Sequence, residues 1–192
     1  MNTGVAVIRF LAFLLLLPGI AAARETAVAP GAIALAGGSA QALFSPWDVI
    51  EGAVVASLRA AQRQVLVQAF SFTSRPIARA LIDAKRRGVD VRVTADAGET
   101  QRLDGGRIPE LVAAGIPVFI EERYQSAHNK VMVIDADLAT GIVITGSYNW
   151  SFAAQRRNAE NVLIMRGQTA LVMRYRMNWE RHQADAKPYT KP

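Results

Sequence analysis

The sequence predicts an α/β domain: a mixed central sheet with helices on both faces. Three observations carry this. Short, fully apolar runs of strand length recur, at Val65-Leu66-Val67, Val131 to Ile134 and Ile142-Val143-Ile144, and such runs suit strands covered on both sides. Stretches with apolar residues at helical spacing separate them, Ile50, Val54, Leu58 and Ala61 in one and Ile77, Leu81 and Ala84 in another. The chain, 192 residues long, is also long enough to bury a full core. Alternation of the two periodicities is the mark of layered α/β architecture.

The first 23 residues read as an address. Arg9 is a positive n-region, Phe10 to Ile20 an apolar h-region, and Ala21-Ala22-Ala23 a small-residue cleavage site. This is the pattern of a secretory signal peptide. The apolar run is short for a membrane anchor and Pro18-Gly19 interrupts it. Cleavage after Ala23 leaves 169 residues with no further stretch able to span a bilayer, and predicts a periplasmic or secreted protein. Residues 24–40, rich in Ala and Gly, read as a flexible leader. The folded domain is expected over 41–185, with 186–192 as a tail.

Within the domain, Gln41 to Phe44 is a short first strand. Ser45-Pro46-Trp47-Asp48 reads as a helix start, with Ser45 as N-cap and Pro46 at the first helical position. Gln64 to Phe72 is the second strand. A helix follows Thr73-Ser74 and ends in Lys85-Arg86-Arg87-Gly88, where cations suit the helix C-terminus and Gly88 the left-handed cap. Val89, Val91, Val93 and Ala95 alternate with polar residues as a strand. Ala97 to Gly106 reads as a polar loop, Ile108 to Ala114 as a short helix closed by Gly115, and Val118 to Ile120 as a strand. Ser151 to Asn158 reads as a basic, irregular stretch and Val162 to Met165 as a strand. Thr169 to about His182 is an amphipathic helix whose Val172, Tyr175, Trp179 and His182 share a packing face.

The chemistry concentrates in two stretches. In His128-Asn129-Lys130, the imidazole and the ammonium are two residues apart and share one face of an extended chain. Ser147 and Asn149 are likewise two apart at the end of the Ile142 to Ile144 run. A nucleophile or proton carrier, a cation and neutral donors at the ends of two core strands suit a phosphate. Asp135, five residues after Lys130, faces the opposite side of a straight strand and is expected to be a structural anchor.

The pattern HxKxxxxD followed by GSxN, here His128, Lys130, Asp135, Gly146, Ser147 and Asn149, resembles the signature of the phospholipase D superfamily. The stretch between Asp135 and Gly146 is longer than usual there, and Ala136 to Gly141 reads as the turn that absorbs the excess. The resemblance implies the α/β sandwich already expected. It implies a phosphodiesterase in which one histidine attacks phosphorus to form a phosphohistidine, while a second protonates the leaving oxygen. This chain has one signature, and His182 has neither a Lys two residues on nor a GSxN partner. The resemblance therefore implies a homodimer with one active site on its two-fold axis and one His128 from each copy. Lys130, Ser147 and Asn149 would hold the phosphate. Glu160, followed by Asn161, would bond the other ring nitrogen of His128 and hold its tautomer.

No cofactor and no metal is expected. There is no cysteine to hold zinc as thiolate, and two histidines are too few for a multi-histidine site. The formal charge is +6, and loss of the signal peptide, with Arg9 its only charged residue, leaves +5. That balance favours polyanionic partners, nucleic acid or an anionic lipid surface. Ser45-Pro46, Ala69-Phe70-Ser71-Phe72-Thr73 and Arg87-Gly88-Val89-Asp90-Val91 resemble the small, exported, single-signature bacterial endonucleases of the superfamily. This implies sequence-nonspecific, metal-independent cleavage of DNA, with RNA as a further substrate. Arg107, Arg156 and Arg157 are candidates to line a phosphate-tracking groove. The alternatives are a phospholipase D acting on phosphatidylcholine-type lipids and a nucleic-acid-binding protein with an inactive site.

Overall fold

The computed structural model describes Met1, residues 37–103 and residues 105–190. Beyond Met1, the expected signal peptide lies outside the described residues, as does the expected leader up to residue 36.

One eight-stranded sheet forms the centre. Its strands are β1 (Ser39–Ser45), β2 (Gln64–Ala69), β3 (Asp90–Asp96), β4 (Val118–Glu121), β5 (Lys130–Ile134), β6 (Ile142–Gly146), β7 (Glu160–Arg166) and β8 (Lys187–Pro188). They lie in the order β1-β7-β6-β5-β2-β3-β4-β8. Strands β2, β3 and β4 pair in parallel, and every other pairing is antiparallel. The parallel pairs need crossovers, and helices provide them. Helix α2 (Arg75–Arg86) links β2 to β3, and α3 (Ala97–Arg102) with α4 (Ile108–Ala113) links β3 to β4. Strands β5, β6 and β7 form a meander. The Ala136 to Gly141 turn lets Ile134 pair with Ile142 and Val131 with Thr145.

The sheet buries two faces, as the apolar runs require. On one, Val65, Val67, Val91, Val93, Met132, Ile134 and Ile144 pack with Val54 and Leu58 of α1 (Ile50–Ala60) and Ile77 and Leu81 of α2. On the other, Leu66, Val131, Val133 and Val143 pack against Val172 and Trp179 of α6 (Thr169–Asp185). Trp179 also donates its indole N–H to the Val67 carbonyl at 2.9 Å. His182, on the same helix, bonds Glu121 at 2.6 Å, well away from the signature residues in sequence and on the α6 face. Among the described residues no helix is long and apolar enough to cross a membrane.

Several local expectations need correction. Ser45 does not cap α1. It ends β1, and its hydroxyl lies 2.8 Å from the Ala154 carbonyl and accepts the Glu160 N–H at 3.2 Å. The tertiary partners take the hydroxyl, and α1 starts later, after Val49, with no side-chain cap. Asp48 instead accepts the Phe44 N–H. Residues 97–102, expected as loop, form α3, because the Asp96 carboxylate caps the Glu99 N–H at 2.7 Å. Residues expected to be irregular form α5 (Phe152–Arg156), capped by the Ser151 hydroxyl on the Ala154 N–H. Ser39 and Ala40, expected in the leader, already pair with β7. The expected tail supplies β8, which pairs with β4 at Phe119 and Ile120 and becomes the short edge strand. The run at 85–88 closes α2: the Arg87 guanidinium bonds the Leu58 and Ala61 carbonyls, and Gly88 has φ 90°.

Asp135 sits just beyond β5 at φ 52°. Its carboxylate accepts three backbone N–H groups, from Gln62, Arg63 and Gln64, at 2.7 to 2.9 Å. It thereby fixes the entry of β2 against the exit of β5. Asp135→Ala would leave buried donors without an acceptor. It is expected to lower the unfolding free energy by about 3 kcal/mol, measured by urea denaturation; a loss below about 1 kcal/mol would contradict this anchoring role.

Candidate active site

Strand direction brings the polar residues together. Strands β1, β2, β3 and β6 end, and β5 and β7 begin, at the same edge of the sheet, as the registers Ser45 with Glu160, Ala69 with Lys130 and Gly146 with Val162 require. His128 and Lys130 enter β5 there, Gly146 to Asn149 leave β6 there, and Glu160 opens β7 there. The signature pairs, far apart in sequence, therefore share one edge.

Lys130 is the most constrained of them. Its residue is 5% exposed. Its ammonium lies 2.8 Å from His128 Nδ1, 2.7 Å from the His128 carbonyl, and 4.7 Å from the centroid of the Phe70 ring. Burial holds its pKa down at about 8, while the charges of Glu160, Asp96 and Glu99 work the other way. An ammonium offers only donors, so at this contact Nδ1 accepts and the proton of a neutral ring lies on Nε2. His128 is itself exposed, with its ring 4.3 Å from that of Phe70.

The second half of the signature is held from behind. Gly146 is required by close approach, since a Cβ there would stand 2.1 Å from the Asn161 carbonyl. Trp150, fully buried, donates its indole N–H to the Gln68 carbonyl at 2.9 Å. Its own carbonyl accepts the Thr73 and Ser74 N–H groups. Asn149 is held between these contacts, and its Oδ1 lies 3.4 Å from the Ser71 N–H. Burial pushes the Tyr148 phenol well above its ordinary range, so it stays protonated.

Glu160 is placed at the site but not on His128. Its carboxylate accepts the Ser147 hydroxyl at 2.5 Å and the Asn158 amide at 2.9 Å. The expected bond to the second ring nitrogen of His128 is absent within one chain, because Lys130 takes Nδ1 and Ser147 takes the carboxylate. Ser147 in turn accepts the Asn161 N–H at 3.0 Å. Arg107 and Arg156 line one cavity, together with Arg75, while Arg157 lies 5.7 Å over the Phe152 ring.

Three site residues had no role assigned from sequence. Phe70 packs on both His128 and Lys130. Ser71 meets Asn149. Asp96, buried, accepts the Ala127 N–H at 2.8 Å and so fixes the backbone just before His128. Asp96 was detectable as Asp-x-x-Glu with Glu99, a capping pattern. Among the described residues no three His, Asp or Glu side chains converge as a metal-binding group.

Residues 54–182 match the family described as "Cardiolipin synthase, PLD-like domain". The chain belongs to the phospholipase D superfamily. Members of that superfamily are phosphodiesterase hydrolases. A phospholipase D from Rickettsia conorii is 39% identical over 124 residues, covering 65% of this chain and 59% of that protein. A mitochondrial cardiolipin hydrolase from Xenopus laevis is 34% identical over 137 residues, covering 71% of this chain and 62% of that protein. This chain thus spans about three fifths of the length of those relatives. The crystal structure of Nuc, a phospholipase D family member from Salmonella typhimurium, matches with a TM-score of 0.73 at 26% identity, covering 81% of this chain and 100% of that one. The mixed sheet with helices on both faces is the fold of this superfamily.

The buried ammonium has a consequence for stability. The folded pKa of Lys130, about 8, lies below the ordinary 10.5, so between these values the unfolded chain binds the extra proton. Stability relative to Lys130→Met should therefore rise with pH through that window. Urea denaturation of both proteins across it is the check, and a flat or falling difference would contradict the burial of a charged Lys130.

Proposed function

We propose that the protein is a metal-independent phosphodiesterase that cleaves nucleic acid, DNA in the first place, without sequence preference. The observation that carries this reading is the convergence of His128, Lys130, Ser147 and Asn149 on one sheet edge, with Lys130 seated on the imidazole. Nucleic acid is favoured by the formal charge of +6, by the cavity bearing Arg75, Arg107 and Arg156, and by the resemblance to the small exported endonucleases. The periplasm or the medium is the proposed location, through the signal peptide over 1–23.

The mechanism we propose uses two copies of the chain. His128 of one copy attacks phosphorus through Nε2, and the P–O bond to the leaving alkoxide breaks. That oxygen takes a proton from His128 of the second copy. Water then attacks the phosphohistidine, gives its proton to the second His128, and releases the first. Lys130, Ser147 and Asn149 of both copies hold the equatorial oxygens as charge builds. Attack through Nε2 needs a lone pair there, and hence a proton on Nδ1 facing an acceptor. Within one chain Nδ1 faces the donor Lys130 instead. In the copy that attacks, the Lys130 contact must therefore open so that Nδ1 can carry its proton, and the homodimer rests instead on the single signature and the exposed His128.

A second reading is phospholipid hydrolysis, with phosphatidylcholine-type lipids as the substrate considered; it draws support from the relatives named phospholipase D and mitochondrial cardiolipin hydrolase. It is favoured too by a cleft of about 210 Å³ beside the site, walled by Phe70, Phe72, Leu103, Ile108 and Pro109. Plasmid nicking by the mature protein in excess EDTA, with phosphatidylcholine hydrolysis in parallel, separates the two. The expected result is nicking that survives EDTA and falls by about 10³-fold or more in His128→Ala. Sedimentation should show a dimer. Head-group release with intact DNA would establish the lipid reading, and an active strict monomer would end the shared-site mechanism.

A further inference from the structure

We propose that the cavity walled by Arg75, Arg107 and Arg156 is a second phosphate subsite, which takes a polynucleotide phosphate flanking the scissile one. The proposal rests on the nucleic-acid reading above. The cavity measures about 470 Å³. Its three guanidinium groups come from separate elements: the start of α2, the residue before α4, and the end of α5. Against them stands one carboxylate, Glu51, and that carboxylate accepts the Ser74 hydroxyl at 2.6 Å. Among the described residues Arg75 and Arg156 form no ion pair, and no hydrogen bond engages either side chain. Arg107 is only loosely engaged, 3.5 Å from the Thr73 carbonyl and 3.4 Å from Glu110. Like charges that share a cavity repel, and an oxyanion with several acceptor oxygens resolves this by bonding more than one of them.

The position relative to the reaction centre follows from two chain segments that run side by side. At one end Ser71 meets Asn149. One step along, Phe72 bridges Trp150 in parallel. At the other end the Thr73 hydroxyl accepts the Phe152 N–H, and both residues line the cavity. Phe152 lies three positions after Asn149, a span of at most about 11 Å. The cavity therefore opens within reach of the phosphate that Asn149 would hold, over a distance that a neighbouring nucleotide can span. Phe152, 56% exposed at the cavity wall, offers a face on which a base can stack. A lipid with a single phosphate has nothing to place among three guanidinium groups there, whereas a polynucleotide has a phosphate at every step.

The test compares two substrates with the full mature chain. One is a single-stranded oligodeoxynucleotide, and the other is bis-para-nitrophenyl phosphate, a diester with one phosphate. In the double variant Arg75→Gln/Arg156→Gln, the ratio of kcat/KM for the oligonucleotide to that for the small diester should fall about tenfold. Most of the change should lie in KM. The salt dependence of oligonucleotide binding should lose a slope of about 0.7 for each phosphate contact removed. An unchanged ratio, with both substrates cleaved by the wild type, would overturn the subsite alone. An equal loss on both substrates would mean that the arginines act through the fold, and would also overturn it. A wild type that turns over the small diester but not the oligonucleotide would remove the nucleic-acid reading and the subsite with it.

Discussion

The site depends on one costly contact, the buried ammonium of Lys130 on the imidazole of His128. Removing a cation from water is unfavourable unless acceptors and opposite charge are supplied around it. Here they are the His128 ring nitrogen and carbonyl, the Phe70 face, and the more distant Glu160, Asp96 and Glu99. Each of those groups is itself held elsewhere. Asp96 fixes Ala127, Glu160 bonds Ser147 and Asn158, and Phe70 follows the end of β2. The ammonium thus ties four strands to one point, and the orientation of the imidazole follows from them.

That same contact leaves Nδ1 of His128 facing a donor within one chain. It sets the tautomer of a donor at Nε2, suited to protonating a leaving oxygen, and not that of a nucleophile. In the proposed two-copy site the two histidine roles would fall to His128 of different copies, which one signature per chain and an exposed His128 would suit. The fold leaves the rest of the edge to substrate: a partly apolar cleft on the Phe70 side and a basic cavity on the Phe152 side. Their linings meet where Phe72 adjoins Thr73 and where Arg107 adjoins Ile108.

Much of this was legible in sequence, for identifiable reasons. The core strands announce themselves because both faces of Val131 to Ile134 and Val65 to Val67 are buried, and no polar residue interrupts them. The signature side chains are legible because strand geometry puts residues two apart on one face. What escaped were choices made by tertiary contacts. Ser45 has the chemistry of a cap, but the end of α5 and the start of β7 claim its hydroxyl. Helices α3 and α5 are too short for a periodicity, and only their caps, Asp96 and Ser151, mark them. Within one chain Glu160 faces Ser147 and Asn158, a choice the sequence does not mark, because a carboxylate near the site can serve Ser147 as readily as His128. Arg75 had no mark at all, since its neighbours at 107 and 156 meet it only in the folded chain.

The most direct test of the two-copy site is the stoichiometry of the trapped intermediate. A radiolabelled phosphodiester is turned over by the mature protein, quenched in alkali to preserve phosphohistidine, and the label counted per chain and mapped. The account predicts label on His128 in one chain of every two. Label on His128 of every chain would show that each copy attacks alone, and would contradict a single site shared across the two-fold axis.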